Sequence, residues 1–510
     1  MFKLMAWFSV LFTCLLSLFT QLSAQAISSD FFPSHYLQIS QDYGNNWKSN
    51  SSFKPYQWDN INEIRPSDSS RFPLQWMVDD INSYGIQRII SSGIIKDKLQ
   101  CNAWFGTLMQ YSDGEGVKFQ DGSTTLNSYF HFSYNNYFKA WLYPRITTDQ
   151  YSIPHYTGKP RPNRRAGFNT GETDMAGVGY FGDWAQIWFG RGRQNLGAMA
   201  LDNLALSEKS AAYDHGTLQL RFNNLQLRYF HGYLETLENN NNHRYITGRG
   251  IEYNNKHNLI IGAHEIVIYS GANRSFDIAY FNPIATHLEV ELNQRDNRIG
   301  GTGGQNAVWQ LSTDWMPLKG LRFSGNLLFD EFALDEEHIS GTDTTESMNN
   351  YAYQTRLAYS NELLDCFTTF DLQYTFVSTY ALRHEQGANN FVSRGLPLGS
   401  NIGSDGDRWQ FGIRVVTPFR IITNFQIGQK RSGVNNLVNN LYESYGEIET
   451  GPFPSGNVEA TNFIKCDLSW SIKNNFNLKV CAQKSESNLN GNQDYIILSL
   501  DAIWPIYFEF

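Results

Sequence analysis

The stretch Tyr495-Ile496-Ile497-Leu498-Ser499-Leu500-Asp501-Ala502-Ile503-Trp504-Pro505-Ile506-Tyr507-Phe508-Glu509-Phe510 decides the fold. Ile496, Leu498, Leu500, Ala502, Trp504, Ile506, Phe508 and Phe510 recur at strict period two. That period places them all on one face of a β-strand. Ser499, Asp501 and Glu509 lie opposite, with Ile497 and Ile503 as apolar exceptions. A water-soluble sheet has no easy use for so long an apolar face. If the face meets lipid, every backbone amide must pair within the protein, because each one left unpaired costs several kcal/mol. For strands, the arrangement without edges is a closed barrel.

The same period runs upstream. Trp309, Leu311, Thr313 and Trp315 alternate with Gln310, Ser312 and Asp314. Phe323, Gly325, Leu327 and Phe329 alternate with Arg322, Ser324, Asn326 and Asp330. Tyr351, Tyr353, Leu357 and Tyr359 form a further set, as do Phe370, Leu372, Tyr374 and Phe376, and then Trp409, Phe411, Ile413 and Val415. These segments run to about 9–11 residues or longer, enough to cross a bilayer on a tilt and longer than most sandwich strands. Asn135-Asn136, Asn223-Asn224 and Asn254-Asn255-Lys256 read as short turns, and Asp335–Asn350 and Gly428–Asn457 as long external loops. The expected fold is an all-β, antiparallel transmembrane barrel over residues 101–510, with about 16 to 18 strands and 18 favoured.

Composition agrees. Of 510 residues, 15% are aromatic and only 17% charged, with 41 Gly and a mean hydropathy of −0.42. Such usage suits strands and tight turns rather than disorder or long helices. Beyond the first twenty residues no apolar run reaches the length of a transmembrane helix. Lys3 followed by the apolar Leu4–Phe19 reads as a signal peptide over residues 1–24, with cleavage after Ala24 or Ala26. Residues 27–100 are irregular. Within them Leu74–Ile95 carries Trp76, Met77, Ile81, Tyr84, Ile89 and Ile90 at roughly helical spacing. This region is expected to be a small helical and irregular plug. Without Lys3, 39 basic residues face 49 acidic ones, an acidic balance that argues against nucleic acid as a partner.

Little in the chain carries catalytic chemistry. Cys101, Cys366, Cys466 and Cys481 are too few for a disulfide scaffold, although Cys466 and Cys481 sit where a hairpin would pair them, or leave them as buried thiols. His231, His243, His257, His264 and His287 lack ligand spacing, so neither metal nor cofactor is expected. The segment Gly190-Arg191-Gly192-Arg193 is not a phosphate-binding loop, and no G-x-S-x-G elbow is present. Glu252, Glu265, Asp277, Glu289 and Glu291 leave paired-carboxylate sugar hydrolysis as a minor alternative. Arg191 and Arg193 are expected on one strand face, either binding anionic sugars or bracing a polar lumen.

The terminal pattern ending in Phe510 resembles the last strand of bacterial outer-membrane proteins, which their barrel-insertion machinery reads. The resemblance casts Trp504, Phe508 and Phe510 as that signal. A longer block is more specific. It runs through Phe230-His231-Gly232-Tyr233-Leu234-Glu235, Arg244-Tyr245-Ile246-Thr247-Gly248-Arg249, Gly262-Ala263-His264-Glu265-Ile266-Val267-Ile268-Tyr269-Ser270-Gly271 and Phe276-Asp277-Ile278-Ala279-Tyr280-Phe281-Asn282-Pro283. With Gly190–Gln194 and Asn203-Leu204-Ala205-Leu206-Ser207, it resembles the capsule-assembly outer-membrane family of the Wzi type. The resemblance implies an 18-stranded barrel plugged by a periplasmic helical bundle and by outer loops. It also implies a lectin-like, non-enzymatic role in attaching capsular polysaccharide at the cell surface.

Arg191, Arg193, Arg249, Glu265, Arg274 and Asp277 follow as candidates for polysaccharide binding or for bracing the lumen. The partners expected are surface polysaccharide, outer-membrane lipid and the insertion machinery, with the protein a monomer. A porin or solute channel is the principal alternative, and a barrel-embedded hydrolase a lesser one.

Overall fold

In a computed structural model the chain is described almost continuously from Leu99 to Ile506; the longest internal stretches left out are 297–303, 332–349 and 445–451. Before Leu99 only Ala26–Ile27, Asp42 and Tyr56–Gln57 are described. The expected signal peptide, the expected helix over Leu74–Ile95, Phe508 and Phe510 therefore lie outside the described residues.

The described chain is an antiparallel barrel of 18 long strands. The first nine are β1 (Leu99–Gly114), β2 (Asp121–Tyr134), β3 (Phe138–Thr147), β4 (Thr170–Phe181), β5 (Ala185–Gly192), β6 (Tyr213–Phe222), β7 (Leu225–Leu237), β8 (Asn242–Asn254) and β9 (Leu259–Ala272). The remainder are β10 (Asn306–Leu318), β11 (Leu321–Glu331), β12 (Asn350–Leu363), β13 (Cys366–Val377), β14 (Gly406–Val416), β15 (Ile421–Ser432), β16 (Glu459–Lys473), β17 (Phe476–Ser487) and β18 (Tyr495–Ile506). β18 closes on β1, with Tyr495 opposite Gly114 and Ile506 opposite Ala103. The strand that opens the sequence argument is thus the seam of the barrel. Among the described residues no helix is long and apolar enough to cross a membrane; the closed sheet is the element of the right length.

Short and long connections alternate, as expected of periplasmic turns and outer loops. Asn135 and Asn223 hold two of the short turns with φ near 51° and 52°, the left-handed region that asparagine tolerates. One expected loop begins later than read: β15 continues through Gly428 to Ser432 before the chain leaves the wall.

Burial is inverted relative to a soluble protein. Phe105, Phe189, Leu311, Leu372, Leu498 and Trp504 are exposed, while Asn127, Gln310, Asp314, Arg322 and Gln354 are buried. The apolar face of every strand named from the sequence therefore looks out, to where lipid lies. Cys466 is opposite Ala482 and Cys481 opposite Asp467. Neighbouring ladder positions point to opposite faces, so the two sulfurs sit on opposite sides of the wall and all four described cysteines are free.

Candidate functional site

The lumen is filled from within by loops. The 193–212 loop leaves β5 and crosses to the far wall, where 378–405 and part of 433–458 join it. Leu196, Leu204, Ala205 and Leu206 of the first loop are packed with Leu382, Phe391, Val392, Leu398 and Ile402 of the second. Leu437 and the inward side chains Phe230, Ile246, Ile266, Ile268, Val308 and Leu328 complete this core. Gly399 passes so close to Leu204 that any Cβ there would collide with the Leu204 carbonyl.

Amides hold the crossing in register. Asn326 Oδ1 accepts from the Ala198 N–H at 2.8 Å, and Asn326 Nδ2 donates to Asn203 Oδ1 at 2.9 Å. Gln310 Nε2 donates to the Leu196 carbonyl at 2.9 Å, and Gln354 Nε2 to the Asp202 carbonyl at 2.7 Å. Arg244 anchors the second loop: its guanidinium donates to the carbonyls of Ala388, Val392 and Asn390 and to Glu235 at 2.6 Å. A charged donor fork spread over fixed acceptors is among the stronger polar contacts in a protein.

Two charge clusters flank the plug, and neither was picked out from sequence. Asp42, fully buried, sits among inward-facing arginines: Arg322 at 2.8 Å, Arg356 at 2.9 Å and Arg414 at 3.7 Å. Burial alone would raise its carboxyl pKa, but Arg356 and Arg322 outweigh that and hold it below the usual range. On the other side, Asp202 of the plug binds Lys209 at 2.8 Å and Arg408 at 2.7 Å. Burial opposes its ionisation too, and Lys209 and Arg408 again prevail. Lys430 and Lys465 join Lys209 and Arg408 within mutual electrostatic range. Lys465 is paired with Asp467 at 3.1 Å and is about a third exposed. The result is a cationic row on the β14–β16 side of the lumen, inside a chain of net acidic charge.

The candidates read from sequence divide differently. Arg193 lies just beyond β5 and takes both oxygens of Asp174, at 3.0 and 2.7 Å. Asp174 also meets Arg145 at 2.9 Å. Arg191 does not share this face. It follows the outward Ile187 and Phe189 and pairs with the exposed Asp214 at 3.3 Å.

Arg249, Glu265, Arg274 and Asp277 do come together, but on the outside of the barrel. Arg249 and Glu265 share the outward parity of the exposed Ile251 and Ile261. Arg249 Nε lies 3.1 Å from Glu265 Oε2, and its Nη1 donates to the Asn282 carbonyl at 3.2 Å. Glu265 accepts from the His287 N–H at 3.1 Å and from Trp309 Nε1 at 3.2 Å. Arg274 binds Asp277 at 3.2 Å and lies 4.7 Å from the Tyr269 ring centroid. Asp277 accepts from the Ala279 N–H and so caps the turn Ile278–Phe281. Of the two roles expected for them, bracing the lumen is corrected for these four: the 273–296 segment folds down over the outer face of β7–β10 and covers them.

The wall beneath has swapped its faces. On lower β7, Leu225 and Leu227 look out and Arg228 in; higher up, His231 and Tyr233 look out while Phe230 and Leu234 are buried inside. On β8 the outward set passes from Ile251 to Arg249, Thr247 and Tyr245. Polar side chains face outward here because the flap supplies partners. Tyr229 Oη donates to the Tyr280 carbonyl at 2.9 Å, His231 stacks on Phe276 at 3.8 Å, and Tyr269 stacks on Tyr280 at 4.9 Å. The hydrolase carboxylates are separated by the same geometry, with Glu252 inside against His264 and Glu265 outside. Among the described residues no group of three His, Cys, Asp or Glu is placed to hold a metal ion.

A closed barrel with an apolar exterior and a polar, loop-filled interior defines the class: this chain is an outer-membrane β-barrel protein. Its architecture is similar to the solved structure of Wzi, described as a carbohydrate-binding β-barrel involved in group 1 capsule assembly in Escherichia coli. That likeness has 13% identity and a TM-score of 0.62, covering 96% of this chain and 100% of that one. Pseudomonas aeruginosa OprD aligns at 12% identity and TM-score 0.45, over 80% of this chain and 96% of its own. Acinetobacter baumannii OccAB1 aligns at 9% identity and TM-score 0.46, over 80% and 97%. No family model matches the chain. No curated protein sequence matches it.

Proposed function

We propose that this protein binds surface or capsular polysaccharide at the outer membrane and helps attach it there, as a lectin-like, non-catalytic member of the Wzi type. The observation that carries the reading is the packed loop core within the lumen. A solute channel has no use for Leu204, Phe391 and Leu398 fully buried across its bore. Lys209, Arg408, Lys430 and Lys465, set against Asp202, Glu459 and Asp467, leave a small local excess of positive charge in an acidic chain, suited to the carboxylates of an acidic glycan. Repeated weak contacts along such a row hold a polymer through multivalency. The polar side chains left half-exposed on β15 and β17 favour the second reading, a narrow solute channel.

Surface-glycan retention in a deletion strain, complemented by the full chain, tests the first reading. Loss of cell-bound glycan with recovery on complementation is expected; unchanged retention rejects it. Single-channel recording tests the second, since a steadily open pore in the full chain would put transport first.

A further inference from the structure

We infer that the 273–296 flap is a lipid-facing element: it lies between the barrel wall and the surrounding leaflet, and its outer surface packs against acyl chains. The flap rests on outward positions of the wall, touching Tyr229, Arg249, Glu265 and Tyr269. Its inner side is closed by a small core of Tyr245, Val267, Tyr269, Tyr280, Val290 and Ala307. Its outer side is not. Ile278 is 83% exposed and Ile284 82%, with Phe281 and Leu288 exposed beside them.

Three observations select lipid as what covers that face. It is continuous with the lipid-facing wall. Ile251, Ala263 and Leu311 form the ladder row one outward position below Arg249 and Glu265, and there an apolar groove of about 600 Å³ opens between Tyr253, Ile261, Phe323 and Tyr353. Second, the flap grades from apolar to charged. Phe281 and Ile284 flank its tip, whereas the Glu289–Arg295 pair at 2.6 Å belongs to the rising limb. That limb ends at Asp296, beside Arg274 near the top of β9. Apolar depth with charges toward the headgroups is what an interfacial segment requires. Third, the flap encloses the Arg249–Glu265 pair, which would otherwise face hydrocarbon midway along β8 and β9, where charged side chains are least tolerated. Flap and wall thus depend on each other. The inference stands apart from any role in glycan binding.

Hydroxyl-radical footprinting by mass spectrometry, on the full chain in phosphatidylcholine vesicles, tests it. Phe419, 78% exposed in a short turn, reports water, and Phe189, 63% exposed on the wall, reports lipid. Oxidation of Phe281 and Ile284 is expected to fall several-fold below Phe419, to the level of Phe189. Labelling at the level of Phe419 would overturn the inference and leave the face open to a soluble partner. Ile284→Lys supplies a second arm. Its insertion into the same vesicles is expected to drop while Ile284→Leu inserts normally, and equal insertion of the two would also overturn it.

Discussion

The inner plug and the outer flap are the same device used on opposite faces of one wall. Inside, 193–212 and 378–405 bring leucines and a phenylalanine onto inward apolar positions of β7–β11. Outside, 273–296 brings Tyr280, backbone carbonyls and a capped turn onto outward polar positions of β7–β10. The difference lies in what each seals. The plug fills the lumen, and its 378–405 loop is held by one arginine, Arg244, that donates to three carbonyls. The flap separates a charge pair from hydrocarbon, and its anchors are shared among several tyrosines. Alternation along a strand therefore reports which face a residue takes, whereas the loops decide which medium that face meets.

The comparison breaks most readily on the inside. Arg244→Ala leaves the half-buried Glu235 to the Arg394 N–H and Tyr442 Oη, and takes the guanidinium away from the carbonyls of Ala388, Val392 and Asn390. A buried polar group left unsatisfied costs about 1–3 kcal/mol, and here several acceptors lose a charged donor at once, enough to release 378–405 from the wall. A lowered urea midpoint and new single-channel openings are expected together. A variant as stable and as silent as the parent would mean that the plug does not hang on this anchor.

On the outside the expected loss is smaller and its readout differs. Arg249→Ala removes the cation beside Glu265, but the His287 N–H and Trp309 Nε1 still serve that carboxylate. About 1–3 kcal/mol is the cost of a buried polar group left partly satisfied. Faster amide exchange over 278–296 is expected with no change in conductance. Openings in this variant would show that plug and flap are coupled through the wall, and would dissolve the distinction.

Much of this is legible in the sequence. The barrel, its closure and the outward faces of β10–β14 follow from period-two alternation, because lipid on one side leaves a one-sided pattern. The flap did not follow, although its signal is present. In β7 the apolar parity passes from Leu225 and Leu227 to Phe230 and Leu234, a change of phase within one strand. Read residue by residue, Arg249 and Glu265 look like lumen residues, since charge in a barrel strand ordinarily points inward. Only a loop folded outward reverses that inference. Asp42 and its arginines escaped for another reason: no periodicity links a lone acid in an irregular segment to strands some three hundred residues away. The cationic row is likewise assembled from separate strands and a loop.

The smallest expected effect is a pH response of the flap that rests on His287. His287 is packed on Trp309 at 5.9 Å between ring centroids and lies 3.3 Å from Glu291, with Arg249, Glu265 and Asp296 also near. Burial, aided by the Arg249 charge and opposed by Asp296, takes its pKa down to about 4 from 6.5. A histidine whose pKa is lowered on packing binds fewer protons closed than open. The closed flap therefore loses stability as pH falls from 6.5 toward 4, with no further loss from this group below that. The plug keeps Asp202 and Asp42 ionised beside their cations, but histidines of the same kind lie in it and beside it. Burial lowers the pKa of His384 on 378–405, and burial aided by Arg193 and Lys209 takes His155 to about 4. Amide exchange, corrected for its intrinsic pH dependence, should accelerate over 278–296 as pH falls from 6.5 toward 4. His287→Phe should abolish that acceleration and leave the response of 378–405 as in the parent. Acceleration over 278–296 that survives His287→Phe would mean that acid loosens the barrel as a whole, and that inner and outer seals share one stability.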